Sequence, residues 1–518
     1  MNRVIRFAEH PCKCFFLTCL FLCLASWPLF AESAPAKPFE NYNVILIFID
    51  ALRADHLSCY GYHGKTSLNI DKLAGESFVF EENFTPITFT MPSFMSVITS
   101  TYPNSHGVIE IYKDKLSRKV MTMAEILKVY GYKTAWLGPL SDPQLSHPVG
   151  FGRGFDEFMD YGDIFRHEEL RERLLGWLDR NKDKKFFLNF HTYKIHSPYL
   201  PSRKYKEKFT GIKEMKGVIE DEWNFLVGAP VRLCRRDRKL ADSIIGEGLL
   251  REFIAAGLLE GDCAQIENFF YAKKKPHIWF YFREHAYWER INLGDPAANA
   301  YVQVLYDAEI LEFDTEVIAP LIKRLKAADI YDKTVIVIFA DHGEEFYEHN
   351  GHSHGSTLYD EVTHVPLIIR LPWVKEGRRV KDLAQTVDIM PTILDLLGIP
   401  VPHQAQGISL ANLMRDKKSS PPREYVFGQL REMSSIRSKE WLFVLHKSHP
   451  GEKELYHLVS DPKEQRNLYP GHRDIALKME SALKRWEESL PSYRDQEYSF
   501  PPEIDKETQE RIRKTGYW

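Results

Sequence analysis

Cysteine is scarce in this chain and unevenly placed. Four of the seven cysteines lie near the N-terminus, at Cys12, Cys14, Cys19 and Cys23. The other three, Cys59, Cys234 and Cys263, lack the paired spacing of a cysteine zinc site, which excludes that class of metal site. Spacing alone leaves open one disulfide, between Cys234 and Cys263, if the protein resides in an oxidising compartment.

The chain also lacks an excess of charge of either sign. It has 68 Lys and Arg against 72 Asp and Glu, a formal net charge of −4, and 27% charged residues. Nothing in this balance or in the motifs points to a nucleic-acid-binding or disordered protein. There is no internal repeat and no low-complexity segment. The apolar share of 44% suffices for a large core, and 518 residues predict either two domains or one large domain with a smaller attachment.

The N-terminal segment has the layout of a secretory signal peptide. Three basic residues, the last of them Lys13, precede an apolar run over residues 14–31, and small residues follow from Ala31. We therefore predict a signal peptide over residues 1–31 and an exported protein, periplasmic or secreted, without a stable membrane partner. The alternative is an uncleaved membrane anchor, because the run is near the lower length limit for spanning a bilayer.

Two apolar runs predict strands that are buried on both faces. Residues 43–49 end at Asp50, and residues 334–340 end at the pair Asp341-His342. Runs that are apolar at every position are typical of a parallel sheet with helices on both sides. Between them, helical patterns over 116–130, 168–180 and 307–328 alternate with strand patterns over 133–137 and 186–191. This alternation predicts an α/β core with a mainly parallel central sheet flanked by helices.

The domain organisation is predicted from the places where the alternation of helical and strand patterns stops. We predict a catalytic domain over residues 38–400, interrupted by a helical insertion over 206–299 whose aromatics form their own small core. The sheet pattern fades after Leu371-Pro372. Short strand signals return from about residue 424, which predicts a small α+β C-terminal subdomain over 401–490, followed by a charged tail over 491–518.

Thr90 begins a second notable stretch. A hydroxyl residue just before Met91-Pro92 is typical of a helix start, and the helix dipole there favours an anion. Alone, Thr90 is expected to be no more than a helix N-cap. Beside Asp50, Asp341 and His342 a second interpretation is better: its hydroxyl joins a metal site and is the nucleophile. Carboxylates with one imidazole are suitable ligands for a divalent cation.

The chain resembles the sulfatase family, within the alkaline phosphatase superfamily. The resemblance runs in order from Asn43 to Leu468, with only the insertion outside it. The matching stretches are Asp50 to Tyr62, Thr90 to Ser93, Thr99 to Pro103, Gly154 to Phe158, His196 to Tyr199, Asp341 to Glu344, Gly355 to Glu361, Val365 to Leu367, and Glu454 to Tyr456 with Asp461-Pro462, Glu464 and Asn467-Leu468.

The resemblance implies roles for individual residues. Asp50, Asp341 and His342 are expected to hold one divalent cation (Ca, Mn, Mg or Zn), with Thr90 at the nucleophile position. His196 is expected to contact the sulfuryl or phosphoryl oxygens or to protonate the leaving group. His354 falls near the family's basic residue ahead of Tyr359, but the match slips by one position, so His352 remains an alternative.

Four positions depart from the family's pattern. Sulfatases usually carry Cys or Ser, converted to formylglycine, at the position of Thr90, and an arginine at the position of Phe94. Ala51 stands in place of a second acid, and Pro139 in place of a lysine. Two anion-holding cations and one metal carboxylate are therefore lost.

These observations predict an exported, metal-dependent hydrolase that cleaves sulfate or phosphate esters of a small molecule or glycan through Thr90. A hydrated formylglycine expels sulfate by elimination through its second hydroxyl, whereas threonine has one hydroxyl and needs a second displacement. That chemistry suits phosphoryl transfer. The alternatives are a phosphodiesterase or phosphoryl transferase of the same superfamily, or a catalytically silent relative that binds sulfated or phosphorylated glycans.

Overall fold

The computed structural model describes residues 42–109, 114–139, 149–160, 167–209, 231, 235, 247–260, 265–266, 269–270, 287–288, 291–415, 423–449 and 451–494. The predicted signal peptide, Cys234, Cys263 and the C-terminal tail from residue 495 lie outside these ranges. Within them, no helix combines the length and the apolar character needed to cross a bilayer.

An eight-stranded sheet organises the larger part of the chain. Its strand order is β10-β2-β9-β6-β1-β5-β3-β4. Neighbouring strands are parallel except where β9 pairs with β2 and with β6. The strands are β1 (Asn43–Ile49), β2 (Phe78–Phe84), β3 (Lys133–Gly138), β4 (Glu157–Asp160), β5 (Phe186–Thr192), β6 (Thr334–Phe339), β9 (Leu367–Arg370) and β10 (Arg378–Gln385). A small ribbon pairs β7 (Glu345–Phe346) with β8 (His352–Ser353).

Thirteen α-helices lie in the described ranges. They are α1 (Leu68–Ala74), α2 (Thr90–Thr99), α3 (Pro103–His106), α4 (Met123–Val129), α5 (His167–Asn181), α6 (Arg203–Lys206), α7 (Glu247–Ala255), α8 (Pro296–Phe313), α9 (Ala319–Ala327), α10 (Asp360–Thr363), α11 (Ile389–Leu396), α12 (Ala411–Arg415) and α13 (Arg473–Ser489). A π-helical turn, Asp314–Ile318, joins α8 to α9.

The central strand β1 shows why its sequence is apolar at every position after Asn43. Val44, Leu46 and Phe48 pack into one hydrophobic cluster, whereas Ile45 and Ile47 pack into another on the opposite face. All five side chains are fully buried. Because successive side chains of a strand point to opposite faces, a strand covered on both sides has no polar face. The predicted α/β class with a mainly parallel sheet is confirmed.

Three predicted elements differ from the structure. The sheet does not end after Leu371-Pro372: β10 pairs parallel with β2 at the sheet edge. The sequence does not show this strand clearly, because only Val380 and the last three of its residues are buried and the others are mostly charged. The helix predicted over 116–130 is confined to α4, where Thr122 and Glu125 form a capping box. The helix predicted over 307–328 begins earlier, at Pro296, and changes to the π-helical turn at Asp314.

The C-terminal part contains a separate antiparallel sheet. Its strands β11 (Val426–Gln429), β12 (Met433–Arg437), β13 (Trp441–His446) and β14 (Lys453–His457) pair in sequence order. Helix α13 packs on one face of this sheet, with Ile436, Phe443 and Leu483 in the shared core. The α+β character predicted for this part is present in these residues.

Only part of the helical insertion is described. Phe253, Phe269 and Phe270 contact one another there, with ring centroids 5.4–5.7 Å apart. Tyr287 and Trp288 instead pack edge-on against Tyr199 of the α/β core. The described aromatics of the insertion are therefore divided between a local cluster and the main core, whereas a single local core was predicted.

Candidate active site

The carboxyl ends of β1 and β6 bring three predicted metal ligands together. These strands are neighbours and parallel, so Asp50 and Asp341-His342 emerge at the same sheet edge. One potential ligand atom from each of the three residues lies within 4.8 Å of the other two. The His342 Nε2 atom is 3.2 Å from the Asp341 carboxylate and 3.7 Å from that of Asp50. All three side chains are fully buried.

Thr90 faces this cluster. It is the first residue of α2, and the N-cap is Phe89, so the Thr90 hydroxyl does not cap the helix. Its Oγ1 instead lies 3.2 Å from His342 Nε2. The N-cap interpretation of Thr90 is therefore wrong, because the helix begins one residue earlier than that interpretation requires. The positive end of the helix dipole lies beside the hydroxyl.

The Asp341 carboxylate has the environment of a metal ligand. Its Oδ1 accepts hydrogen bonds from the backbone N–H groups of Ala51 and His342, at 3.2 and 2.9 Å. Its Oδ2 is buried and has no hydrogen-bond donor in the described parts of the chain. Burial raises the pKa of Asp341 to about 7. A buried carboxylate oxygen that lacks a donor and lies next to a second carboxylate fits a cation.

The other residue predicted to line the site, His196, lies on the loop after β5. Its Nδ1–H donates to the Ser197 carbonyl at 2.7 Å, which leaves Nε2 as the acceptor in the neutral ring. Burial, with a further contribution from His354, lowers the pKa of His196 to about 4. The His196 ring contacts that of His354 edge-on, with centroids 4.9 Å apart.

The structure distinguishes His354 from His352. The His354 ring stacks on that of His342, with centroids 3.9 Å apart. His354 Nδ1 donates to Glu344 Oε1 at 2.9 Å. His352, in contrast, is exposed in β8 and its ring lies 5.0 Å from that of Trp288. His354 is therefore the histidine that the fold brings to the predicted site.

A buried ionic cluster holds the loop that carries His196. Lys194 Nζ lies 2.5 Å from Glu309 Oε2 and 3.2 Å from Glu312 Oε2, and both glutamates belong to α8. Glu309 also accepts a hydrogen bond from the backbone N–H of Leu200, and Glu312 accepts one from the backbone N–H of Ser202. The loop is thereby tied to α8 at several points along its length.

Sequence reasoning missed two residues of the site, His191 and Glu344. His191 Nε2 lies 3.0 Å from Asp50 Oδ2 at the end of β5. Glu344 binds His354 through Oε1 and accepts the Tyr199 hydroxyl at Oε2, 2.7 Å away. The available signal for His191 was its place at the carboxyl end of an apolar strand, the same signal that identified Asp50.

The positions that depart from the family's pattern are filled by packing and backbone contacts. Phe94 is fully buried and its ring stacks on those of Phe48 and Phe151, at 4.8 and 5.6 Å. Ala51 has a left-handed backbone conformation, with φ of 55°. Its N–H donates to Asp341 and its carbonyl accepts the Tyr306 hydroxyl at 2.7 Å. Ala51 thus supports the site through its backbone.

Comparison with family models gives two matches. Residues 42–399 match the family described as Sulfatase. Residues 348–489 match the family described as N-sulphoglucosamine sulphohydrolase, C-terminal. The first match spans the sheet and every residue of the site described above.

Curated relatives are similar over most of the chain. An N-acetylglucosamine-6-O-sulfatase of Bacteroides thetaiotaomicron is 24% identical over 92% of this chain and 91% of its own. A Delta 4,5-hexuronate-2-O-sulfatase of the same organism is 24% identical over 84% of this chain and 86% of its own.

Solved structures share the fold. A protein in complex with its substrate D-glucosamine-2-N,6-O-disulfate superposes with a TM-score of 0.64 at 21% identity, covering 88% of this chain and 99% of that chain. A phosphonate monoester hydrolase of Agrobacterium radiobacter superposes with a TM-score of 0.61 at 20% identity, covering 86% of this chain and 95% of that chain.

Proposed function

Because the chain belongs to the sulfatase family, whose members are sulfuric-ester hydrolases, we propose that it hydrolyses a sulfate or phosphate ester through Thr90. The observation that carries this proposal is the place of the Thr90 hydroxyl. It lies 3.2 Å from His342 Nε2, at the edge of the cluster formed by Asp50, Asp341 and His342. A buried hydroxyl in this position, at the start of a helix, is oriented for attack on an anionic ester.

Asp50, Asp341 and His342 fit one divalent cation. The two carboxylates and one imidazole suit Ca, Mn, Mg or Zn, and the buried Asp341 Oδ2 supports this assignment. When bound, such an ion would lower the pKa of the nucleophile and stabilise charge that develops on the ester oxygens. These three residues follow closely after the ends of β1 and β6, which supports the assignment of a common site.

The first step transfers the sulfuryl or phosphoryl group to Thr90. The Oγ1 atom forms a bond to sulfur or phosphorus and its hydroxyl proton passes to solvent water, while the bond to the leaving alcohol's oxygen breaks and that oxygen takes a proton from the site. Because Thr90 has one hydroxyl, release requires water or an acceptor alcohol to attack the transferred group and regenerate the threonine. This route is natural for phosphoryl groups. We therefore favour a phosphoester substrate, although the family's name refers to sulfate esters.

The two histidines divide the proton transfers between them. Glu344 is ionised: burial alone would raise its pKa, but the positive charge on His354 holds it below the ordinary value. Protonated on both ring nitrogens, His354 would offer a cation where two family cations are lost, and it would then be able to protonate the leaving alcohol. In neutral His196 the Nδ1–H donates to the Ser197 carbonyl, so Nε2 can accept a proton from the attacking water.

The names of the relatives suggest the substrate class. The two curated relatives are named as sulfatases of N-acetylglucosamine and of a hexuronate, and one structural neighbour was solved with a glucosamine disulfate. Another neighbour is named a phosphonate monoester hydrolase. We propose an anionic ester of a small molecule or glycan as substrate, and the Thr90 argument favours the phosphate over the sulfate.

A substrate panel tests this proposal. The purified mature protein is assayed with an aryl sulfate, a phosphate monoester and a phosphodiester, each with Mg²⁺, Mn²⁺, Ca²⁺ or Zn²⁺. After brief incubation, the mass of the peptide that contains Thr90 should increase by one sulfuryl or phosphoryl group. Full activity in Thr90→Ala, or an adduct on another residue, would show that the nucleophile is wrongly assigned.

One observation favours a second function, a silent glycan-binding relative. Phe94 fills its position with aromatic packing, and Ala51 offers no carboxylate, so two family contacts to the anion and metal are absent. Metal analysis of the purified protein distinguishes the two functions. A silent relative would contain no stoichiometric cation and turn over no ester, yet retain affinity for sulfated or phosphorylated glycans.

The cellular location follows from the N-terminal segment. We propose that the protein is exported to the periplasm or medium after cleavage near Ala31, with the uncleaved anchor as the alternative. N-terminal sequencing of protein recovered from cell fractions tests this. Recovery of the intact N-terminus in the membrane fraction would support the anchor.

A further inference from the structure

We propose that His191 is a positioning residue for Asp50: its Nε2–H donates to Oδ2 and directs Oδ1 toward the metal cluster. This inference rests on the metal site of the proposed function. His191 Nε2 and Asp50 Oδ2 are 3.0 Å apart, and both side chains are fully buried. The residue lies outside the set of ligands assigned above.

The sheet register places His191 beside Asp50. Strands β1 and β5 are parallel neighbours, and His191 is paired with Phe48. Asp50 follows Phe48 by two residues and emerges from the same face, so the imidazole reaches it by leaning along the strand direction. The backbone supports this arrangement, because the Asp50 N–H donates to the Thr192 carbonyl at 3.0 Å. The two side chains are thus held by adjacent main chains.

Aromatic packing fixes the imidazole ring. The His191 ring stacks on Phe48, with centroids 3.9 Å apart and planes 12° from parallel. The rings of Tyr193 and Trp136 contact it edge-on, at 4.8 and 6.0 Å. Rotation about the ring's side-chain bonds would break these contacts. The orientation of the Nε2 atom toward Asp50 is therefore built into the core.

The geometry also determines where the ring carries its proton. Nδ1 is buried and has no hydrogen-bond partner among the described residues. Nε2 faces a carboxylate oxygen, which only accepts hydrogen bonds, so a lone pair on Nε2 would be repelled. Whether the ring is neutral or charged, Nε2 must carry a proton. His191 is therefore a donor to Asp50 and is not itself placed as a metal ligand.

The hydrogen bond leaves one oxygen of Asp50 for the cluster. Oδ2 is occupied by His191, and Oδ1 is the oxygen that lies 3.7 Å from His342 Nε2. Partners that hydrogen-bond to metal-ligating carboxylates orient them, and losing such a partner typically lowers metal affinity about 10- to 100-fold. Loss of the His191 donor should lower the affinity of this site by a similar factor.

A matched pair of variants tests the donor. Gln and Met have nearly the same shape, but only Gln offers an N–H, so His191→Gln and His191→Met separate hydrogen bonding from packing. Titration calorimetry of metal-free protein with Mn²⁺ and with Ca²⁺ gives the affinities. We expect His191→Met to bind about 10- to 100-fold more weakly than wild type and His191→Gln to recover most of that loss.

Two further variants calibrate the measurement. Asp341→Asn removes a proposed ligand and should weaken binding at least as much as His191→Met. His106→Gln alters another buried histidine, which contacts Ser96 outside the cluster, and should leave the affinity unchanged. If Asp341→Asn binds like wild type, the metal site of the proposed function is wrong. If Asp341→Asn weakens binding but the His191 variants bind like wild type, only the inference about His191 is wrong.

Equal losses in the Met and Gln variants would show that His191 acts through packing. A measurement on the wild-type protein tests the inference even where the variants fold poorly. Long-range ¹H–¹⁵N NMR spectra of the metal-free protein report which ring nitrogen is protonated. We expect a proton on Nε2 of His191, and an unprotonated Nε2 would overturn the inference.

Discussion

Glu344 Oε1 lies 2.9 Å from His354 Nδ1 in a buried pair beside the cluster of Asp50, Asp341 and His342. The Tyr199 hydroxyl donates a hydrogen bond to the other carboxylate oxygen at 2.7 Å, so both oxygens of Glu344 are fixed by hydrogen bonds. The His354 ring in turn lies flat on that of His342. The pair thus couples the orientation of a proposed acid to that of a proposed metal ligand.

The charge of Glu344 should matter for catalysis. In Glu344→Gln the side chain keeps its size, but the support for a protonated His354 is lost. We expect kcat to fall roughly 10²-fold or more, the range typical of losing general acid catalysis. Steady-state kinetics on the best substrate measures this.

Glu345→Gln is the matched control for this variant. Glu345 is also buried, but its carboxylate accepts a hydrogen bond from the Thr357 hydroxyl. Its kcat should stay within a few-fold of wild type. Equal losses in the two variants would show that the Glu344 effect is not specific to its pairing with His354.

Substitutions of Thr90 separate its hydroxyl from its shape. Thr90→Val preserves the volume and removes Oγ1, so we expect kcat to fall at least ~10³-fold, as nucleophile deletions do. Thr90→Ser keeps the hydroxyl and should retain measurable activity. Thr88→Val is the control, since the Thr88 hydroxyl donates to the Thr357 carbonyl and not to the cluster. Thr90→Val with wild-type turnover would contradict the assignment.

Lys194 should be essential for the stability of the His196 loop. Its side chain is 3% exposed, and Lys194→Met leaves Glu309 and Glu312 buried without their cation. Breaking a buried pair in this way costs about 3–5 kcal/mol. We expect a large fall in the thermal unfolding midpoint, measured by calorimetry, together with lower kcat.

Lys204→Met provides a comparison on the surface. Lys204 pairs with Glu316 at 3.2 Å, but its side chain is 65% exposed. Exposed ion pairs contribute little to stability because solvent screens them, so this variant should unfold near the wild-type temperature. A similar midpoint in both variants would mean that the buried cluster is not needed to hold the loop.

His349 should make stability depend on pH. Its Nδ1 lies 2.6 Å from Glu361 and its Nε2 lies 3.0 Å from the Glu464 carbonyl, so a doubly protonated ring can donate to both. Burial disfavours the charged ring, but Glu361 outweighs it and raises the pKa of His349 to about 9. Protonation therefore favours the folded state.

This stabilisation is complete below about pH 6.5, the ordinary histidine pKa, and is lost as the pH rises through about 9. The whole pKa shift would correspond to roughly 3 kcal/mol, and solvent screening of this half-buried pair makes the actual effect smaller. In His349→Gln the fall of the unfolding midpoint between pH 6.5 and 9 should shrink, whereas His403→Gln, at an exposed position, should behave like wild type. An unchanged pH profile in His349→Gln would refute the assignment.

Much of the fold was readable from local pattern. After their first residues, Asn43 and Thr334, the runs at 43–49 and 334–340 are apolar at every position because both faces of β1 and β6 are covered. Asp50 and the pair Asp341-His342 come directly after these runs, so their places at the strand ends were predictable from the sequence. Strand β10 was not predicted, because an edge strand is only half buried and its sequence therefore contains charged residues.

The sequence by itself determined the α/β class, the two acid-bearing strand ends and the presence of Thr90 near a helix start. Only the tertiary structure decided which side chains meet. Strand order brings His191 to Asp50 across 141 residues, and Thr90 to His342 across 252. The local pattern of β5 gives no sign of its neighbour, because burial makes every central strand look alike. Pairing is decided by packing of the whole sheet.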